Sequence, residues 1–134
     1  MLTKFKSKKK IKINDIEKRV INYFTDKDNN ASWVFNPEVD KGVTRPDLMI
    51  DSGSKKYIFE VKSRSPMLSD ISMLKQAGVE YFKESQVPVK IFLVYTSVKI
   101  REDVKEFAET TGVKLVPISN LGDLDDEIDK YYYI

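Results

Sequence analysis

The segment Val89 to Tyr95 (VKIFLVY) is apolar at every position but Lys90. A strand with one wet face alternates apolar and polar residues, so an unbroken run marks a strand buried on both faces. Such a strand needs layers packed above and below its sheet. The rest of the chain supplies candidates for them. Ile16, Val20 and Phe24 fall at i, i+4 and i+8, which predicts a helix from Asn14 to about Thr25. Asn14 followed by Glu17 reads as a polar cap with its capping-box acid. A second helix is expected after Pro66 to about Ser85, with Ile71, Leu74, Gly78, Tyr81 and Phe82 near one face. Arg101 to Thr111 reads as a third, stopped by Gly112, and Asp123 to Tyr132 as a fourth.

Strands are expected at Trp33 to Phe35, Asp47 to Ile50, Tyr57 to Lys62 and Val113 to Ile118. The two middle ones flank Asp51-Ser-Gly-Ser-Lys-Lys, a turn with a glycine for positive φ, and should pair as a hairpin. The order is then α-β-β-β-α-β-α-β-α. Early strands join by hairpins and later ones alternate with helices, which predicts an α/β protein with a mixed central sheet flanked by helices. At 134 residues one domain is the default. Residues 1–12 read as a basic arm and 13–134 as the domain.

Two absences narrow the chemistry. There is no cysteine and no histidine. Disulfides, thiolate sites, histidine general bases and histidine-ligated zinc are therefore excluded. Catalysis would have to come from carboxylates, lysines, hydroxyls and oxygen-bound metals such as Mg²⁺ or Mn²⁺. Net charge is only +2, but it is unevenly spread. Lys4, Lys6, Lys8, Lys9, Lys10 and Lys12 crowd one end, where they can bind phosphates or form a solvated tail. Asp123, Asp125, Asp126, Glu127 and Asp129 crowd the other. No apolar run approaches the ~20 residues of a membrane span, and none of the 7–15-residue type follows the basic arm. A cytoplasmic protein is the expectation.

Side chains of a strand alternate between faces. Glu60 and Lys62 therefore share one face with Ile58, while Phe59 and Val61 take the other. Asp47 opens the preceding strand of the hairpin, beside the end of the next. Two carboxylates and an ammonium should meet at one end of the sheet. Adjacent carboxylates repel unless one takes a proton or a divalent cation bridges them. A bridging cation beside a lysine has the parts that phosphodiester hydrolysis needs.

Arg45-Pro46-Asp47-Leu-Met-Ile followed by Tyr57-Ile-Phe-Glu60-Val61-Lys62 resembles the PD-(D/E)XK nuclease superfamily in its E-x-K form. The family includes restriction endonucleases, Holliday junction resolvases and exonuclease domains. The resemblance implies a restriction endonuclease-like α-β-β-β-α-β core and Mg²⁺-dependent cleavage of nucleic acid. It implies that Asp47, Glu60 and the Val61 carbonyl bind the metal and that Lys62 assists the water. Members often add a glutamate from the first helix, where Glu17 stands. Some carry a glutamine on the following helix with a tyrosine four residues on. Gln76 is in place, but the +4 position is Glu80 and the tyrosine is Tyr81.

These readings lead to a metal-dependent endonuclease acting on DNA and expected to be homodimeric, with structure-selective action like that of a junction resolvase as one form of that expectation. The alternative is a catalytically inactive nuclease-fold domain that binds nucleic acid or a protein. Ser63 and Arg64 follow the active strand and are candidates for touching phosphate. The 26–31 loop and the 37–45 connection, with a turn at Lys41-Gly42, are candidate substrate contacts. Trp33 is expected in the core. The run Tyr131-Tyr132-Tyr133 is left between packing on the sheet and a dimer contact.

Overall fold

The computed structural model describes residues 11–38, 45–96 and 99–132. Its elements are α1 (Ile13–Lys27), β1 (Ser32–Phe35), β2 (Leu48–Asp51), β3 (Lys56–Lys62), α2 (Leu68–Ser85), β4 (Val89–Tyr95), α3 (Glu102–Thr111), β5 (Val113–Pro117) and α4 (Leu121–Tyr132). The order is the one the sequence predicts. The five strands form one sheet in the order β1-β2-β3-β4-β5. β1, β2 and β3 are antiparallel neighbours, whereas β3, β4 and β5 run parallel. The sheet is therefore mixed.

Period-two alternation along β3 divides the interior into two cores. Tyr57, Phe59 and Val61 join Phe92 and Val94 beneath Ile16, Val20 and Phe24 of α1 and Leu124 and Ile128 of α4. Ile58 joins Ile91 and Leu93 beneath Ile71, Leu74, Ala77 and Tyr81 of α2 and Val104 and Ala108 of α3. Phe92, Leu93 and Val94 are all wholly inaccessible, so β4 is covered on both sides as its composition demands. Each such side chain contributes about 2 kcal/mol of burial free energy. The Phe59 and Phe92 rings stack across the β3–β4 ladder with centroids 4.7 Å apart.

The β2–β3 turn fixes the register that matters for the site. Gly53 adopts φ +88°, its N–H donates to Asp51 Oδ1 at 2.8 Å, and Ser52 N–H donates to the Lys55 carbonyl at 3.0 Å. Leu48 then faces Phe59, and Asp51 faces Lys56. A left-handed residue at the tip suits glycine because no Cβ opposes the carbonyl. Gly78 has a different purpose. A Cβ there would collide with Cγ1 and Cδ1 of Ile91, so the missing side chain lets α2 lie close on β4.

Several expectations are corrected. α1 begins at Ile13 with Lys12 at its cap, and the cap makes no side-chain hydrogen bond. The Asp15 and Ile16 N–H groups already donate to the Lys12 carbonyl. Asn14 thus lies inside the first turn, and the capping box with Glu17 does not form. Trp33 is not core: it is 44% exposed, on an edge strand that neither helical layer covers. Phe82 is likewise exposed on the flank of α2. The acidic run lies on α4, as expected, and is tied to its neighbours. Asp125 holds Arg19 through two bonds of 2.9 and 3.0 Å, Tyr23 donates to Asp129, and Asp123 accepts from Ser119 and Asn120 at the start of α4. Tyr131 and Tyr132 pack against the α1 core, which settles two of the three tyrosines. Tyr133, the lysines before residue 11 and the Lys41-Gly42 turn lie outside the described residues.

Candidate active site at the carboxyl end of β3

Asp47 sits one residue ahead of β2 and is held from three directions. Its N–H donates to the Phe59 carbonyl at 3.0 Å, and its carbonyl accepts from Asn36 N–H at 3.0 Å. Asn36 reaches that position with φ +46°, a left-handed conformation that asparagine tolerates better than most side chains. Asp47 Oδ2 accepts from the Val61 N–H at 2.7 Å. The paired part of β2 ends at Leu48, so the Asp47 side chain replaces the strand carbonyl that Val61 would otherwise meet. In an antiparallel strand the N–H and C=O of one residue face the same neighbour. The Val61 carbonyl therefore also faces the edge where Asp47 stands.

Glu60 and Lys62 project to the α2 face, as the alternation predicts. The Glu60 carboxyl stands within interaction range of the Asp47 carboxyl. Two carboxyl groups so placed favour a proton on one of them. Burial pushes the Glu60 carboxyl up to about 8, helped by the hydrogen bond and negative charge of Asp47 and opposed by the Lys62 ammonium. Glu17 stands half-buried on α1. Its carboxyl is pushed up first by burial and then by the charge of Asp47. It thus belongs to the same acidic neighbourhood, released from the capping role assigned by its spacing.

Sequence reasoning missed Asp70. Its side chain is 3% exposed, and it is the one charged residue buried among the described residues. It accepts from the Met67 N–H at 2.8 Å, capping α2, and binds Arg64 through Nη1 at 2.7 Å and Nη2 at 3.0 Å. Lys62 Nζ lies 3.8 Å from Asp70 Oδ1. Burial pushes this carboxyl up, but Arg64, the Met67 N–H and Lys62 together bring it below its ordinary value. The available signal was an acid in the first turn of the helix after Pro66. Gln76 is not part of this group. It is exposed on α2 and hydrogen-bonds none of these residues. Glu80, at the position expected for a tyrosine, contacts Lys83 at 3.4 Å, and Tyr81 turns inward to donate to the Pro37 carbonyl.

The donor set fits a hard divalent cation. Asp47, Glu60 and the Val61 carbonyl offer oxygen only, and a cation there would offset the repulsion between the two acids. Among the described residues no three acidic side chains already close into a cage. The candidate site is a carboxylate pair plus a carbonyl, with Glu17 behind it.

This architecture, a mixed five-stranded sheet flanked by helices, is a restriction endonuclease-like fold. The chain is similar to protein VC1899 from Vibrio cholerae (TM-score 0.65, 17% identity, covering 89% of this chain and 32% of that one). It is similar to a repair endonuclease from Pyrococcus abyssi (TM-score 0.58, 16% identity, 82% and 49%). It is also similar to EndoMS, solved as a complex with double-stranded DNA (TM-score 0.57, 14% identity, 87% and 48%). The chain spans 32% to 49% of the length of these proteins. No family model and no curated protein matches the sequence. Among the described residues no helix is long and apolar enough to cross a membrane.

Proposed function

We propose that the chain is a nuclease that hydrolyses phosphodiester bonds of DNA with the help of Mg²⁺ or Mn²⁺. The observation that carries this reading is the contact between Asp47 and Glu60 on neighbouring strands, with Lys62 one same-face step beyond Glu60. Asp47, Glu60 and the Val61 carbonyl would hold the cation. When bound there, such a cation polarises the scissile phosphate and promotes ionisation of the attacking water. The Val61 N–H fixes the direction of the Asp47 carboxylate. Glu60 gives up its proton as the site loads. Lys62 orients the water or offsets charge developing on the phosphate. Glu17 adds negative charge from the far side of Asp47.

The likeness to a repair endonuclease and to EndoMS in complex with double-stranded DNA supports a nucleic acid as substrate. The test incubates the protein with linear, single-stranded and four-way-junction DNA, with and without Mn²⁺. Metal-dependent cutting is expected, with Glu60→Ala and Lys62→Ala each losing at least about a hundredfold in rate. Faster cutting of the junction than of the linear duplex would place the enzyme among structure-selective nucleases. Undiminished cutting by both variants would overturn the site. A homodimer would bring a second centre to the opposite strand; sedimentation of the free protein and of its DNA complex reads this directly.

A further inference from the structure

We propose that Arg64 carries a phosphate-binding edge, held in place by Asp70, that grips the nucleic-acid backbone beside the candidate metal centre. The inference rests on the nucleic-acid substrate argued above and adds a site to it. Arg64 is two residues beyond Lys62, and its side chain is 46% exposed although its partner Asp70 is 3% exposed. A guanidinium has five N–H donors in a fixed planar fork. Asp70 takes the end of the fork, one proton each from Nη1 and Nη2. The Ser65 carbonyl takes the second Nη1 proton at 3.1 Å. Among the described residues, the two protons left are on Nε and Nη2, and they lie side by side along one edge. That pair matches two oxygens of a phosphodiester in bidentate geometry.

Arg64 and Lys62 both lie on Asp70, so two cations share one buried anion and these three side chains together carry one positive charge. Asp70 also caps α2, which anchors the cluster to a rigid helix. An arginine needed only to satisfy Asp70 would have no use for its remaining edge. One that positions a backbone phosphate needs both its edges: one for Asp70, one for the ligand.

Binding of a short labelled DNA duplex in Ca²⁺, followed by anisotropy across a salt series, tests this. Arg64→Lys keeps a charge for Asp70 but has no second edge. It is expected to bind about tenfold more weakly with nearly the wild-type salt slope. Arg64→Ala should lose at least as much affinity and about one unit of slope. Wild-type affinity in Arg64→Lys overturns the proposal, because charge alone would then suffice. That variant also decides the matter if Arg64→Ala does not fold. A wild type with no affinity for DNA overturns it as well. A wild type that binds but never cuts in Mn²⁺ removes the nuclease reading and leaves the Arg64 comparison standing.

Discussion

Glu60 holds its proton far more tightly in the folded chain than an ordinary glutamate does, up to about 8 against 4.5. A carboxyl raised on folding favours the native state fully at low pH and progressively less as pH rises through that interval. Without divalent metal, stability should therefore fall between about pH 4.5 and pH 8. Glu60→Gln keeps the hydrogen bond to Asp47 without a charge. Its melting temperature should exceed that of wild type above pH 8 and approach it near pH 4.5. Parallel thermal melts across pH check this; a constant difference would mean that the two acids share no proton. Glu17, raised in the same direction, adds to the same slope. Asp70 behaves oppositely, because its partners favour the charged form. Asp70→Ala strands Arg64, Lys62 and the Met67 N–H together and should cost about 3 kcal/mol, read by urea denaturation. Asp47, Glu60 and Lys62 were legible in the sequence because strand alternation and one hairpin suffice to bring them together. Asp70 was not, since an acid in a helix's first turn reads as an exposed, dipole-favoured residue. Its burial depends on Arg64 and Lys62 meeting it across the bend after β3, a tertiary fact.

At the scale of elements, the seam between α2 and β4 is set by Gly78 and Ile91. Adding a methyl at Gly78 gains helix propensity of about 1 kcal/mol but forces Ile91 aside, at a cost of about 1–3 kcal/mol. Gly78→Ala should be net destabilising. Combined with Ile91→Val, which removes Cδ1, it should cost less than the two single changes summed. A double-mutant cycle by denaturation measures that coupling; strict additivity would show that the two residues do not compete for space. β4 was readable because a continuous apolar run has one physical meaning. β3 was readable because its alternation gives each face a partner. β1 was read as a strand but Trp33 was misplaced, since sequence does not reveal that a short strand will sit at a sheet edge beyond both helical layers. The orientation of Gln76 was equally hidden from the sequence. Its spacing from Glu60 fits the pattern, yet the rotation of α2 turns Ile71, Leu74 and Gly78 inward and leaves Gln76 in solvent.

Across the whole molecule, the switch from antiparallel to parallel pairing at β3 decides where chemistry can occur. β3 is hydrogen-bonded to β2 by a local turn and to β4 by a helical crossover. Its carboxyl end therefore meets Asp47 beside β2 and leads directly into the start of α2. Ligands gather at the carboxyl ends of strands in open α/β sheets because the chain leaves a crevice there. At that end of β3 stand the Asp47–Glu60 pair and the Lys62–Asp70–Arg64 cluster. The two faces have separate cores, and neither depends on the acids for its packing, so substitutions in the pair should alter activity with the fold intact. Calorimetric titration of the protein with Mn²⁺ near pH 7 is the direct test. One binding site is expected in wild type and in Lys62→Ala, with release of close to one proton as Glu60 ionises, and none in Glu60→Gln. No uptake of Mn²⁺ by the wild type, or equal uptake by Glu60→Gln, would contradict a metal centre at Asp47 and Glu60.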